Sequence, residues 1–190
     1  LEGTYTKVKE IIASKYFLWF TLGLFIISAG WIAVCFRYPF LFDERFHFGV
    51  IKAFSSQLSP IIYAQSQDLD MYGNLTFGIA TIYHYILSYP YRLLSAFIDN
   101  ENPIIVMLRF INILLAAWGL FIYSKVFNEI GISKAVTNIS LFFFTMIPLF
   151  VFESATISYD NMLLLVTAAF FLYGVRIVLG KGNATLNYYA

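Results

Sequence analysis

From Tyr16 to Phe36 the chain carries no Asp, Glu, Lys or Arg, and Lys15 and Arg37 close the run at its two ends. A helix needs about 20 apolar residues to cross the hydrocarbon core of a bilayer, whereas a secretory signal core has only about 7–15. No small-x-small cleavage motif follows the run, so it reads as a signal anchor that stays in the protein. Backbone in lipid must satisfy its own N–H and C=O groups, which leaves helices or a closed barrel. An unbroken apolar run of this length selects the helix. Only 12% of the 190 residues are charged and 60% are hydrophobic, where soluble domains carry about a quarter charged. Such a chain cannot cover a water-facing surface, and lipid must be much of its solvent.

Three further runs have the same character: Pro103–Tyr123 with Arg109 near its start, Ala135–Phe152, and Asn161–Leu179 closed by Arg176 and Lys181. The expectation is an all-α, polytopic transmembrane helical bundle. It forms a single domain over residues 1–190, with spans at about 16–36, 103–123, 135–152 and 161–179. Lys7 and Lys15 precede the first span, which favours an inside N-terminus. Gly131 reads as a helix stop, and Pro148 as a kink below the Glu153 loop. Gly23 and Gly30 fall on one face of the first span and predict close helix packing there.

Residues 37–102 form a long outer loop in this reading. Its polar part holds Asp43, Glu44, Arg45, His47, Lys52, Asp68 and Asp70. Asp43 to Phe54 reads as a short juxtamembrane helix with Phe46, Phe48, Val50, Ile51 and Phe54 resting on the bilayer. Asn74–Ile98 is apolar but contains His84, Pro90 and Arg92. It reads as an interfacial or re-entrant helix broken at Pro90, or as a further crossing. If it does not cross, Asp43 and Asp160 share the outer face; if it does, they lie on opposite sides.

Other features are plainer. The net charge of +1 gives no electrostatic case for nucleic acid. The single Cys35 excludes an intrachain disulfide. Sequons occur at Asn74, Asn138 and Asn183, the second inside a span, so the pattern reads as chance. His84 reads as a packed or interfacial histidine. Arg109 is expected to snorkel or to pair with Glu101 or Asp99.

Two acidic stretches could carry chemistry. In Asp43-Glu44-Arg45-Phe46-His47, helical spacing puts Asp43, Glu44 and His47 on one face. Carboxylates beside an imidazole can take a proton from a hydroxyl or hold a cation; the plain alternative is a solvated turn flanking a span. In Ser158-Tyr159-Asp160-Asn161, Asp160 opens an apolar helix, where a carboxylate also serves as a simple cap.

The first stretch resembles the Asp-Glu-x-x-His motif after the first transmembrane helix of GT-C superfamily glycosyltransferases. The second is similar to the acidic motif that opens a later helix in oligosaccharyltransferase catalytic subunits. The order of spans, long outer loop and acidic motifs fits nearly the whole chain. The resemblance implies a GT-C-like membrane enzyme of which this chain is an N-terminal portion. It implies an inverting glycosyltransferase that moves a sugar from a polyprenyl-phosphate-linked donor to an acceptor at the non-cytoplasmic face. The host would be a cell membrane, or the endoplasmic reticulum membrane in a eukaryote. Its implied catalytic residues are Asp43 as general base, Glu44 and Asp160. Its implied substrate contacts are His47, Arg45, Lys52, Glu153 and Tyr159. Arg45, Lys52 and Arg92 are the nearby cations that could face the leaving phosphate. Some relatives use a divalent cation; for this chain transfer without a metal is the expectation. The implied partners are the lipid-linked donor, membrane lipids and the remainder of a longer chain. The alternative is a non-enzymatic membrane subunit or transporter half, with polar residues lining a path at mid-depth.

Overall fold

The computed structural model describes residues 2–41, 43–60 and 81–181. Every regular element among them is an α-helix: α1 (Glu2–Ala13), α2 (Lys15–Cys35), α3 (Glu44–Ser55), α4 (Thr81–Ser95), α5 (Glu101–Glu129), α6 (Lys134–Thr145), α7 (Pro148–Ser154) and α8 (Asp160–Val178). Helices α2, α5 and α8 are long and apolar enough to cross a membrane. Their outer surfaces agree with their length. Trp19, Phe20, Ile27, Trp31 and Val34 on α2, and Leu163, Val166, Phe170 and Phe171 on α8, are all exposed. Apolar surface that continuous belongs against lipid rather than water.

Helix α5 is the centre. It packs on α2 through small residues, Ala29 and Ala33 against Ala116 and Ala117, with Leu22, Phe25, Ile113 and Leu120 filling the seam. It packs most extensively on α8. The two run parallel: Asn161 in the first turn of α8 reaches Asn112 in the first half of α5, and Arg176 reaches Glu129 near the ends of both. A chain that leaves α5 at one end and begins α8 at the other must run the length of the bundle between them. Helices α6 and α7 make that return. Asn138 on α6 donates to Ile12 and Ser14 beside the start of α2, while Asn161 reaches the Glu153 carbonyl at the end of α7.

The return is not one straight span. The expected helix over 135–152 is divided into α6 and α7, which meet at an angle of 74°. Pro148 sits in the first turn of α7, where its missing N–H costs nothing. The expected kink is therefore a full break. Gly131 ends α5 with a φ of 85°, as a helix stop should. Helix α5 runs past the expected 103–123 at both ends, because Asn100 caps its first turn by accepting from Asn102 N–H. Helix α1 was not expected at all; it lies against α6.

Close packing does not fall where Gly23 suggested. A methyl group at Gly23 would meet nothing within 4 Å, whereas one at Gly30 would lie 3.1 Å from the Phe110 ring. An equally close approach, here to backbone, is at Gly119, where a Cβ would meet Leu165 N at 3.1 Å and Leu164 C at 3.2 Å. Backbone cannot swing aside as a side chain can, so a side chain at 119 would push α5 and α8 apart. Gly119→Leu is expected to destabilise the protein by about 1–3 kcal/mol or more, the range for overpacking. Thermal unfolding in detergent reads this; an unchanged midpoint would show that the crossing yields freely.

Helix α3 forms as expected, but not on the bilayer. Phe48, Val50, Ile51 and Phe54 are buried in the protein, Phe48 and Ile51 with Tyr83, Leu87 and Tyr91 of α4. Arg92 holds the two helices together by donating to the carbonyls of Phe54, Ser55 and Gln57 at the end of α3. Helix α4 passes through Pro90 without ending there. Of the ambiguous segment 74–98, residues 74–80 lie outside the described residues, as do Asp68, Asp70 and the sequons at Asn74 and Asn183. The described helix has 15 residues, about 22 Å at 1.5 Å per residue, short of a hydrocarbon core of about 30 Å.

Candidate functional site

Three chain segments meet where α2 ends and where α5 and α8 begin, and a buried ion pair joins them. Arg109, the ninth residue of α5, is 1% exposed and Glu44 is fully buried. The guanidinium forks onto the carboxylate, Nε to Oε1 and Nη2 to Oε2, both at 2.7 Å. Its Nη1 donates to the carbonyls of Ala33 (2.9 Å) and Phe36 (2.8 Å). The last carbonyls of a helix have no partner within it, and Arg109 supplies one for α2. Glu44 in turn accepts from Phe40 N–H at Oε2 (2.7 Å) and from Ile157 N–H at Oε1 (3.3 Å). A carboxylate offers about four acceptor positions, and all are taken.

This corrects two expectations. Arg109 pairs with Glu44 rather than with Glu101 or Asp99. Glu44, expected in the catalytic set, is enclosed, with its acceptor positions filled by Arg109, Phe40 and Ile157. It fixes the start of α3 against the loop that leads into α8.

Asp43 lies one residue earlier and is different in kind. It begins α3 without capping it. Its side chain is 51% exposed, and Oδ2 lies 3.3 Å from His47 Nε2. His47 is 1% exposed, and its Nδ1 lies 2.8 Å from Nε2 of His84 on α4. Burial holds the His47 imidazole below its ordinary value of 6.5, against the opposing fields of Asp43, Asp160 and Glu44. A neutral ring has one N–H. A carboxylate only accepts, so the hydrogen sits on Nε2, facing Asp43. Nδ1 is then the acceptor and His84 Nε2 the donor. Expected as a substrate contact, His47 is enclosed with both nitrogens engaged, and backs Asp43 instead.

The second acidic stretch joins the same place. The Tyr159 ring stands edge-on to His47, with centroids 5.2 Å apart. Asp160 is exposed and braced by Ser158, whose Oγ accepts from Asp160 N–H (3.2 Å) and donates to Oδ2 (3.3 Å). The Glu153 carboxylate, half-buried, lies within the fields of Asp43, Asp160 and Glu44. Asp43 and Asp160 therefore sit at one end of the bundle. Beneath them Tyr83 donates to Asn112 (2.7 Å), and Asn161 donates to the same Asn112 oxygen (3.4 Å).

The cations divide. Lys52 is paired with Glu101 at 2.6 Å, and Arg92 is spent on the end of α3. Arg45 is exposed beside Asp43, with no ion pair found for it among the described residues. Among those residues no three of His, Cys, Asp and Glu gather as ligands for a metal. Glu44 and His47 are committed elsewhere, so Asp43 and Asp160 remain as open carboxylates.

The sequence holds no sign of Tyr83 or Asn112, and it marks Arg109 and His84 without the partners that they have here. A charge inside an apolar span is itself a signal that a partner must exist, but its partner stood far away in the chain. No protein-family model, curated protein or solved structure matches this chain.

Proposed function

We propose that this protein is a GT-C-like inverting glycosyltransferase, taking a sugar from a polyprenyl-phosphate-linked donor at the non-cytoplasmic face of a membrane. The observation that carries the reading is the half-exposed Asp43, backed by a buried imidazole, at the same end of the bundle as the exposed Asp160. A base must be reachable by the proton that it removes, and Asp43 is the open member of its motif. Asp43 takes the proton of the acceptor hydroxyl. The acceptor oxygen then bonds to the anomeric carbon as the carbon–phosphate oxygen bond breaks, and the phosphate leaves with the electron pair. Asp160 orients the acceptor, with Tyr159 and Glu153 beside it. Of Arg45, Lys52 and Arg92, the last two are engaged with Glu101 and the end of α3, and Arg45 meets the leaving phosphate.

Charge placement supports the side. Lys7, Lys9, Lys15, Lys125, Lys134 and Lys181 belong to the end opposite the site, and positive residues favour the cytoplasm. The buried charges Arg109 and Glu44 gather at the site end, which fits an enzyme site better than a polar path at mid-depth.

The test is direct. Purified protein in vesicles is given polyprenyl-phosphate carrying radiolabelled glucose or mannose, with sugar and peptide acceptors. The expected result is release of polyprenyl phosphate and a product of inverted anomeric configuration. Asp160→Asn should slow it by about 10²-fold or more. Donor that stays intact with every sugar offered would overturn the reading.

A further inference from the structure

We infer that His84, on α4, is a positioning residue for Asp43: by engaging Nδ1 of His47 it holds that ring in the orientation in which Nε2–H faces the Asp43 carboxylate. The inference deepens the proposed function, but its first test does not need it. It rests on three atoms in series. His84 Nε2 lies 2.8 Å from His47 Nδ1, and His47 Nε2 lies 3.3 Å from Asp43 Oδ2. Both imidazoles are buried, at 1% and 2% exposure, and they are stacked with centroids 5.1 Å apart. Water does not reach either ring freely, so each must take its hydrogen bonds from the other and from the protein.

Asp43 selects the Nε2–H tautomer of His47, because a carboxylate can only accept. His84 adds the second hold. A ring held at Nε2 alone could swing about that contact, whereas one held at both nitrogens, 2.8 Å from His84 and 3.3 Å from Asp43, has one orientation. A donor held against one carboxylate oxygen leaves the other to face the acceptor, which is the orientation that a general base needs. His84 reaches Asp43 across two helices, so the position of α4 against α3 is what keeps the base oriented. The other groups facing His47 are Glu44 on its own helix, Tyr83 on α4, and Tyr159 and Asp160 at the start of α8. Glu44 is neutralised by Arg109.

The sequence makes the test unusually clean, since His47 and His84 are its only two histidines. The full protein, labelled with ¹⁵N-histidine in detergent, gives two imidazoles by NMR. The expected spectrum has His47 as the Nε2–H tautomer at neutral pH, with a coupling across the N–H···N bond to His84. In His84→Phe, His47 is then the sole imidazole. It should titrate at higher pH than in the wild type, because Nδ1 is no longer held as an acceptor and can take a proton while Nε2–H stays on Asp43. His84→Gln, whose amide can donate to Nδ1, should restore the wild-type titration. Transfer by His84→Phe should fall by about 10²-fold in kcat, as for a misplaced catalytic group, with KM little changed and with rescue by His84→Gln. A wild-type spectrum with no coupling, or a His47 that titrates alike in the wild type and in His84→Phe, overturns the inference. The wild-type spectrum decides it even where His84→Phe does not fold. An intact coupling in a protein that transfers no sugar leaves the link standing and removes the glycosyltransferase reading alone.

Discussion

Replacing Arg109 with leucine is expected to cost about 3–5 kcal/mol of stability, the range found when one member of a buried ion pair is removed. Two losses combine. Glu44 remains, fully buried, as an unpaired carboxylate. The carbonyls of Ala33 and Phe36 lose their donor at the end of α2. Thermal unfolding in detergent reads the effect. Arg109→Lys should fall between, because an ammonium keeps the charge but cannot fork onto both carboxylate oxygens while reaching two carbonyls. The double variant Arg109→Leu with Glu44→Leu should be less damaged than the two single changes summed, because it leaves no charge stranded. Wild-type unfolding in Arg109→Leu would show that water reaches Glu44 and that the pair is not a closed one. The site should suffer with the fold. Glu44 also accepts from Ile157, so losing its anchor frees the loop that places Tyr159 and Asp160 against His47.

What the sequence disclosed follows from range. The ends of α2 and α8 fall within a residue of expectation, because a charge-free run between polar flanks is a local property and a bilayer has a fixed thickness. The grouping of Asp43, Glu44 and His47 was legible for the same reason, since helical spacing is local. What each does was not. Asp43 and Glu44 are adjacent and chemically alike, yet one faces solvent and the other is enclosed. That difference is set by Arg109, 65 residues away in the chain. His84 was correctly read as packed, but its partner His47 lies 37 residues distant, and no periodicity links them. The apolar residues of α3 were right as a helical face and wrong as to what covers it, because amphipathicity marks a buried side without saying whether lipid or protein lies against it. The break between α6 and α7 was marked by Pro148. A proline announces a disturbed helix, but the 74° between the pieces depends on how each packs.

The adjacent carboxylates give the sharpest test of the proposed chemistry, because their neutral amides should fail in opposite ways. Asp43→Asn should lose about 10²–10⁴-fold in turnover, the usual worth of a positioned general base, while unfolding much as the wild type does. Its side chain is 51% exposed, so no buried charge is created or stranded. The amide oxygen can still accept from His47 Nε2, which keeps both histidines satisfied. What is lost is the capacity to take a proton. Asp43→Glu keeps that capacity one methylene further out, and should retain part of the activity. Glu44→Gln should show the reverse order. An amide nitrogen would face the Arg109 fork, where both oxygens now accept at 2.7 Å, and two donors would oppose each other in a buried place. Stability should fall first, with activity lost as a consequence. Measuring turnover and unfolding on the same preparations separates the two. An Asp43→Asn protein that transfers sugar at the wild-type rate removes Asp43 as the base and leaves Asp160 as the remaining open carboxylate. A Glu44→Gln protein that is fully stable but inactive would move the chemistry onto the residue that this structure shows enclosed.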